Sequence, residues 1–255
     1  MALHDGSDDP TGLLYGFHTV LEALQSRTRA IQRLWVIRSD GRYFPLTRLA
    51  KERGIPFSIE SRERLDQLAN DRHHQGVVAN ITSKEYLEGE ELLDSLLESP
   101  TPALLVVLDQ IQDPHNLGAV IRSVDAAGAH GIVIPKHRAV GITGGVAKAS
   151  AGALEYVQIA RVANTGKFIE ECQKQDIVTV ALDPEGHSSY SEIDMTGPIA
   201  LVFGSEGEGI RPIVRRKCDQ QVHIPMKGRI NSLNVSVSVA VTLFEAVRQR
   251  MGTKG

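Results

Sequence analysis

The sequence predicts an α/β protein in two parts, a small N-terminal domain and a larger C-terminal domain built on a parallel sheet. Three observations carry this. Strand-like and helix-like segments alternate along most of the 255 residues. Residues 104–108, LLVVL, form a near-continuous apolar run, as strands buried on both faces do. An acid-rich stretch ending in Pro100-Thr101-Pro102 separates the halves. The expected organisation is residues 1–83, an acidic linker over 84–102, and residues 103–255.

The first eleven residues are polar and are expected to be disordered. A short amphipathic helix is expected over 19–24, a buried strand over 34–37, and a helix over 45–53 with Pro45 in its first turn. A strand over 57–59, a helix over 62–69 and a strand over 76–81 complete the domain. Between Arg27 and Arg64 ten Lys/Arg face four acids, a net of +6. Solvated helix faces or a phosphate-meeting surface would both read this way. Trp35 sits in an apolar run and is expected in the core, whereas Tyr43 and Phe44 are the better candidates for stacking on bases. His73 and His74 fit a surface loop that could meet RNA.

In the linker, one Lys faces six acids between Lys84 and Glu98, and Leu92, Leu93, Leu96 and Leu97 make one helical face. The next strand, 104–108, turns into a helix over 117–127 that Asn116 can cap and Gly128 can end. Arg122 lies off that helix's apolar face. Strands are expected near 132–134, 156–159, 178–182 and 199–203, with a helix over 167–175. A Gly-rich turn follows the last strand, Gly204-Ser205-Glu206-Gly207-Glu208-Gly209, and lets backbone amides approach a ligand. It lacks the pattern of a phosphate loop, and its glutamates suit a cationic or neutral ligand.

Residues 222–225 form a short apolar run before a polar connection and a long breaker-free stretch. In that stretch Leu233, Val235, Val237, Val239 and Val241 alternate like a strand. Leu233, Val237, Ala240, Val241, Phe244 and Val247 also share one helical face. The absence of Gly or Pro from Ser232 to Met251 favours the helix, with Ser232 as its N-cap.

Composition is that of an ordinary globular chain: 42% hydrophobic, 23% charged, net charge −3. No apolar run reaches the roughly 18 residues of a membrane span. The N-terminus shows no signal-peptide core, and Cys172 and Cys218 have no partners at metal spacing. A cytoplasmic protein with two buried thiols and no metal is expected.

Three segments carry a family resemblance. DQIQDPHNLGAVIRSVDAAG, IALVFGSEGEGI and IPM…NSLNVSVSVAVTLFEA occur in that order over about 150 residues. They resemble the three motifs of the SpoU family of RNA ribose 2′-O-methyltransferases. GFHTVLEAL and HHQGVVA are similar to the segments that open and close the RNA-binding domain of some members. The resemblance implies a trefoil-knotted C-terminal domain, bound S-adenosylmethionine and a homodimer. It implies a cofactor site around Gly204, Ile224 and Leu233 and a catalytic set of Asn116, Arg122, Glu206, Ser232 and Asn234.

The family gives its motif arginine a base-like role, which is awkward for a group that stays protonated. We expect Arg122 instead to bind the neighbouring RNA phosphate and stabilise the forming alkoxide. The resemblance is nearest to members that methylate a guanosine ribose in large-subunit ribosomal RNA. A transfer-RNA 2′-O-methyltransferase and a non-catalytic RNA-binding assembly factor are the alternatives.

Overall fold

Every residue of the strand Leu104–Asp109 is buried, and this strand runs through the middle of an eight-stranded sheet. The computed structural model describes residues 11–205 and 207–252. The polar N-terminus expected to be disordered lies almost wholly outside them. The chain divides into two compact units, one holding the described residues through Glu85 plus Gly141–Tyr156, the other Tyr86–Val140 and the described residues from Val157 on.

The first unit contains β1 (Thr11–Tyr15), α1 (Phe17–Ser26), β2 (Ile31–Val36), α2 (Phe44–Glu52), β3 (Phe57–Ile59), α3 (Arg62–Ala69) and β4 (Val77–Thr82). Its sheet runs β1-β4-β2-β3, with β1 and β2 antiparallel to β4 and β3 parallel to β2. Leu14, Val20, Leu24, Leu34, Leu46, Leu65 and Ile81 fill its core. Strand β1 is an element the sequence reading lacks. It is short, and Gly16, at φ 102, breaks it from α1 before any period is established.

Residues 141–156 also belong to this unit, through contacts far apart in sequence. Gly144 lets the backbone approach β1, since a Cβ there would stand 2.8 Å from the Leu13 carbonyl oxygen and the Tyr15 ring. Lys148 Nζ donates to Asp71 Oδ2 at 2.8 Å, which holds that carboxyl well below its usual range. Buried Glu155 takes an ion pair from Arg29 and a 2.7 Å hydrogen bond from the Thr28 hydroxyl.

The second unit holds β5 (Leu87–Glu88), α4 (Gly89–Leu97), β6 (Leu104–Asp109), α5 (Pro114–Ala127) and β7 (Gly131–Pro135). After the excursion, whose short helix Gly144–Ala149 is α6, come β8 (Gln158–Val162), α7 (Thr165–Lys174), β9 (Val178–Leu182) and β10 (Ser188–Ser189). Strand β11 (Ile199–Gly204), α8 (Pro212–Arg215), β12 (Gln220–His223) and α9 (Val235–Gly252) end it. The sheet order is β10-β12-β9-β11-β6-β7-β8-β5, and its strand pairs are parallel. This is the α/β architecture with a parallel sheet that the buried runs predict.

The stretch read as a linker is structural here. β5 pairs with β8, and Leu92 and Leu93 are buried in the core of this unit. Its acids serve α4: Glu88 and Glu91 form a capping box, and Glu90 and Glu91 lie in the first turn, where the helix dipole favours negative charge. Both cysteines are buried, and burial pushes each thiol up to about 12. Residues 235–252 are helical, so the length argument prevails over strand alternation. The helix nevertheless starts later than Ser232. The Asn234 Oδ1 accepts from the Ser236 N–H at 2.9 Å, so Asn234 is the cap. Likewise α5 is capped by Asp113, which accepts from the His115 N–H, and Asn116 lies inside the first turn.

Candidate functional site

In open parallel sheets, ligands settle beyond the carboxyl ends of the strands. Here a cavity of about 380 Å³ lies where β9, β11 and β12 end and α9 begins. Leu182 and Asp183 reach it from β9, Phe203 and Gly204 from β11, Ile224 from beyond β12, and residues 231–233 from the run into α9. Gly204, Ile224 and Leu233, the three residues expected around the cofactor, line this one cavity, and Ser232 lines it beside them.

The turn after β11 folds tightly on itself. The Ser205 N–H donates to the Gly209 carbonyl at 3.2 Å and the Gly209 N–H returns a bond to the Ser205 carbonyl at 3.0 Å. A Cβ on Gly204 would overlap the Gly209 carbonyl carbon and the Ile210 nitrogen. Gly204 therefore serves the turn's own closure, in addition to any space it leaves for a ligand. Glu206 lies outside the described residues.

The far end of the turn is anchored by a pair the sequence reading did not single out. Asp109, fully buried at the end of β6, accepts from Arg211 through its backbone N–H at 3.0 Å and its Nη2 at 2.6 Å. Thr165 Oγ1 donates to the same carboxylate at 3.3 Å. The side-chain hydrogen bond to the Asp109 carboxylate pushes the Arg211 pKa up. The Gln110 side chain fits between Glu208 and Arg211, its nitrogen toward the Glu208 carboxylate and its oxygen toward the guanidinium, at 3.2 Å each. The local signal was present: an Asp closing an apolar strand is a buried charge and demands a partner.

The cavity's charge is predominantly negative. Among the described residues, Asp183, Glu185 and Glu208 line it against one cation, Arg215, which pairs with Asp183 at 2.9 Å and reaches Glu185 at 3.5 Å. Leu182, Phe203, Ile224, Met226, Leu233 and Val235 supply apolar walls. Apolar walls and surplus carboxylate suit a ligand with an aromatic ring and a positive charge. S-adenosylmethionine has both, and these residues fit it.

The expected catalytic residues separate into two groups. Asn234 Nδ2 donates to Asn116 Oδ1 at 3.0 Å, which joins the start of α9 to the first turn of α5. Asn234 follows Ser232 and Leu233 directly, so this pair adjoins the cavity wall. Arg122 is exposed and stands six residues beyond Asn116 on α5, about 9 Å along the helix. It does not line the cavity.

In the first unit, Tyr43 is buried and its hydroxyl donates to the Gln75 carbonyl at 3.1 Å, so it is a packing residue. Phe44 is 55% exposed. Trp35 is half-buried, with the Arg33 guanidinium 5.7 Å from its ring centre. His74 is buried: its Nδ1 accepts from the Gly76 N–H at 2.9 Å and its Nε2 lies 2.9 Å from Asp66 Oδ1. That arrangement places the imidazole proton on Nε2 and makes His74 a scaffold for its loop.

The class that this fold and cavity define is given by comparison with known families. Residues 103–244 match the SpoU rRNA methylase family, and residues 13–87 match the family of RNA 2′-O ribose methyltransferase substrate-binding domains. The chain belongs to the SpoU rRNA methylase family. It is 43% identical over 241 residues to the 23S rRNA (guanosine-2′-O-)-methyltransferase RlmB of Ralstonia nicotianae, covering 93% of this chain and 96% of that one. It is 40% identical over 240 residues to the RlmB of Shewanella oneidensis, covering 93% and 97%. Among solved structures it is similar to the SpoU methyltransferase AviRb from Streptomyces viridochromogenes in complex with AdoMet. That match has a TM-score of 0.80 and 26% identity, over 97% of this chain and 95% of that one.

Proposed function

We propose that this protein is an S-adenosylmethionine-dependent enzyme that methylates a guanosine ribose 2′-hydroxyl in large-subunit ribosomal RNA. The observation that carries the reading is the cavity at the strand ends, apolar with surplus carboxylate, in a chain that belongs to this family along nearly its full length. The bound cofactor supplies an activated methyl group on a sulfonium. The chain's own residues do the rest. Gly204, Ile224 and Leu233 wall the cofactor, and Asp183, Glu185 and Glu208 favour its positive charge.

A ribose hydroxyl is a weak nucleophile, so the protein has to hold it in line and favour loss of its proton. In this proposal the Asn116–Asn234 pair, Ser232 and Glu206 position the ribose. Arg122 binds the adjacent phosphate and stabilises the alkoxide as it forms. A phosphate oxygen or water takes the proton, because a guanidinium does not give its own up.

Arg122 stands outside the cavity of its own chain, which supports a homodimer in which a second copy helps complete the site. A stripe of exposed apolar residues on α9, Val237, Phe244 and Met251, repeats every seven residues and suits such a contact. Phe244→Arg is expected to shift the sedimentation of the protein from dimer to monomer. Strand β11 returns to the middle of the sheet, between β6 and β9, which supports the trefoil-knotted arrangement the resemblance implies. No helix of the described residues is long and apolar enough to cross a membrane. Two buried thiols support a reducing, cytoplasmic setting.

Mapping 2′-O-methyl groups in RNA from cells with and without the protein tests this function. Loss of one guanosine methylation from large-subunit ribosomal RNA, restored by the purified protein and S-adenosylmethionine, is the expected result. Loss from transfer RNA alone, or no change anywhere, overturns it.

A further inference from the structure

The first unit contains a second cavity, of about 260 Å³, whose mouth carries Arg42 and Arg62 and whose wall includes Ile37, Tyr43, Gln75 and Gly76. Both arginines are exposed. Among the described residues neither makes an ion pair, whereas Arg38 and Arg48 nearby are matched with Asp40 and Glu52. Arg42 is oriented by rings: its guanidinium lies 4.6 Å from the centre of Phe17 and 5.5 Å from that of Tyr43. Stacking on ring faces leaves the edge N–H groups of a guanidinium open to an anion.

The wall is built rather than incidental. Gln75 and Gly76 both have positive φ, 56 and 79. A Cβ on Gly76 would crowd the Tyr43 hydroxyl, so the loop is pressed against that ring. Four hydrogen bonds hold it there. Tyr43 donates to the Gln75 carbonyl, the buried His74 accepts from the Gly76 N–H, the Ile37 N–H donates to the Gly76 carbonyl, and the Phe17 N–H donates to Gln75 Oε1. Backbone strain in a non-glycine residue at a cavity wall is a feature of ligand sites.

We propose that this cavity is a subsite for one unpaired nucleotide of the RNA substrate. Its phosphate is held by Arg42 and Arg62, and its base lies against Ile37 and the Gln75 amide. Single-stranded RNA is recognised in this way, by guanidinium groups on phosphate combined with a base lodged on an apolar or planar surface. The inference rests on the assignment of an RNA substrate to this chain and goes beyond it in naming the residues and the cavity.

The test uses the full-length protein and a ribosomal RNA fragment that it methylates. Arg42→Gln and Arg62→Gln are each expected to raise the KM for RNA by about tenfold, the worth of one charge-assisted hydrogen bond. The effect on kcat should be far smaller, and the affinity for S-adenosylmethionine unchanged. The salt dependence of RNA affinity should flatten by about one logarithmic unit in the double variant. Both residues are exposed, so melting temperatures should stay near wild type. Inorganic phosphate and guanosine 5′-monophosphate, titrated as competitors, separate the sources of the anion: the nucleotide should displace RNA better than phosphate.

A double variant with unchanged KM and salt dependence overturns the proposal, as does phosphate competing as well as the nucleotide. Should the wild-type protein methylate no ribosomal RNA, the functional assignment fails. The same variants then report on the cavity through RNA binding alone, where unchanged affinity still counts against it.

Discussion

Asn234 donates a 3.0 Å hydrogen bond to the side-chain oxygen of Asn116, although 118 residues separate them. One sits at the start of α9 and the other in the first turn of α5, and those two helices pack on each other. Asn116 is largely buried, and the same Asn234 side chain caps α9 through its oxygen. The pair therefore fixes the segment carrying Ser232 and Leu233 against the helix carrying Arg122. Asn234→Ala removes both the cap and the cross-link, and should cost about 1–2 kcal/mol in chemical denaturation. Its effect on methyl transfer should exceed what that loss of stability explains. If transfer is normal under conditions where the variant is fully folded, the pair is only structural.

Gly204→Ala should abolish cofactor binding, and a single methyl group should suffice. Its Cβ would overlap the Gly209–Ile210 backbone, which cannot swing aside as a side-chain tip would. The turn from Ser205 to Gly209 would have to open. Calorimetry with S-adenosylmethionine is the measurement, and near-normal affinity would show that the turn is less committed to this closure than its geometry implies.

Much of the second unit's fold was legible because its central strands are largely buried. Residues 104–108 and 178–182 announce themselves by composition and length. What was not legible depends on contacts across the chain. The acids at 88–91 look like a linker until Leu92 and Leu93 are seen packed in the core. Gly144, Lys148 and Glu155 read as part of the second domain until Tyr15, Asp71 and Arg29 are seen to hold them. Gly204, Ile224, Ser232 and Leu233, which the motifs single out, line one cavity. The caps were misread by two or three residues, Asn116 for Asp113 and Ser232 for Asn234, since several polar residues in a row can each cap and only geometry chooses. The Asp109–Arg211 pair is only half legible: an acid closing an apolar strand signals that a partner is needed, but nothing local says which residue, 102 positions on, supplies it.

Arg211→Ala should be strongly destabilising, by about 3 kcal/mol, because it strands the fully buried Asp109 carboxylate. The guanidinium itself is partly exposed, so most of the cost is that of the unpaired acid. Asp109→Asn should be milder, since an amide can still accept from the Arg211 backbone. Urea denaturation of the two variants gives the comparison, and equal costs would argue against a buried charge as the cause.

The acid limit of stability should depend on Glu245. Hydrogen bonds from Arg248, and next from Gln249, hold its carboxyl at about 2, below the usual 4.5. A lowered folded-state pKa contributes stability that is present above 4.5 and lost as the pH falls through 2. Gln249 also ties the end of α9 to Ile193 and Met195, so the loss should be felt there. Glu245→Gln should cost about 1 kcal/mol near neutrality and flatten the stability–pH curve below 4.5. An unchanged curve would remove Glu245 from the acid transition.

Arg122 is the residue on which the chemistry can be decided. It is exposed on α5 and outside its own chain's cavity, so it is free to meet RNA. If it binds a phosphate and the developing alkoxide, Arg122→Ala should slow methyl transfer by about 100- to 1,000-fold, the usual cost of one transition-state charge contact. Cofactor affinity should barely change, since the cavity lining is untouched. Arg122→Lys keeps the charge but loses the forked geometry, and should rescue little. A side-chain base would behave differently, because the lysine variant would then gain activity as the pH rises toward the lysine pKa. Wild-type and Arg122→Lys pH–rate profiles on RNA separate the two mechanisms. Recovery of the lysine variant at high pH, beyond any rise in wild type, would favour the base. Near-normal transfer by Arg122→Ala would take the residue out of the mechanism, and with it the idea that a second copy helps complete the site through that arginine.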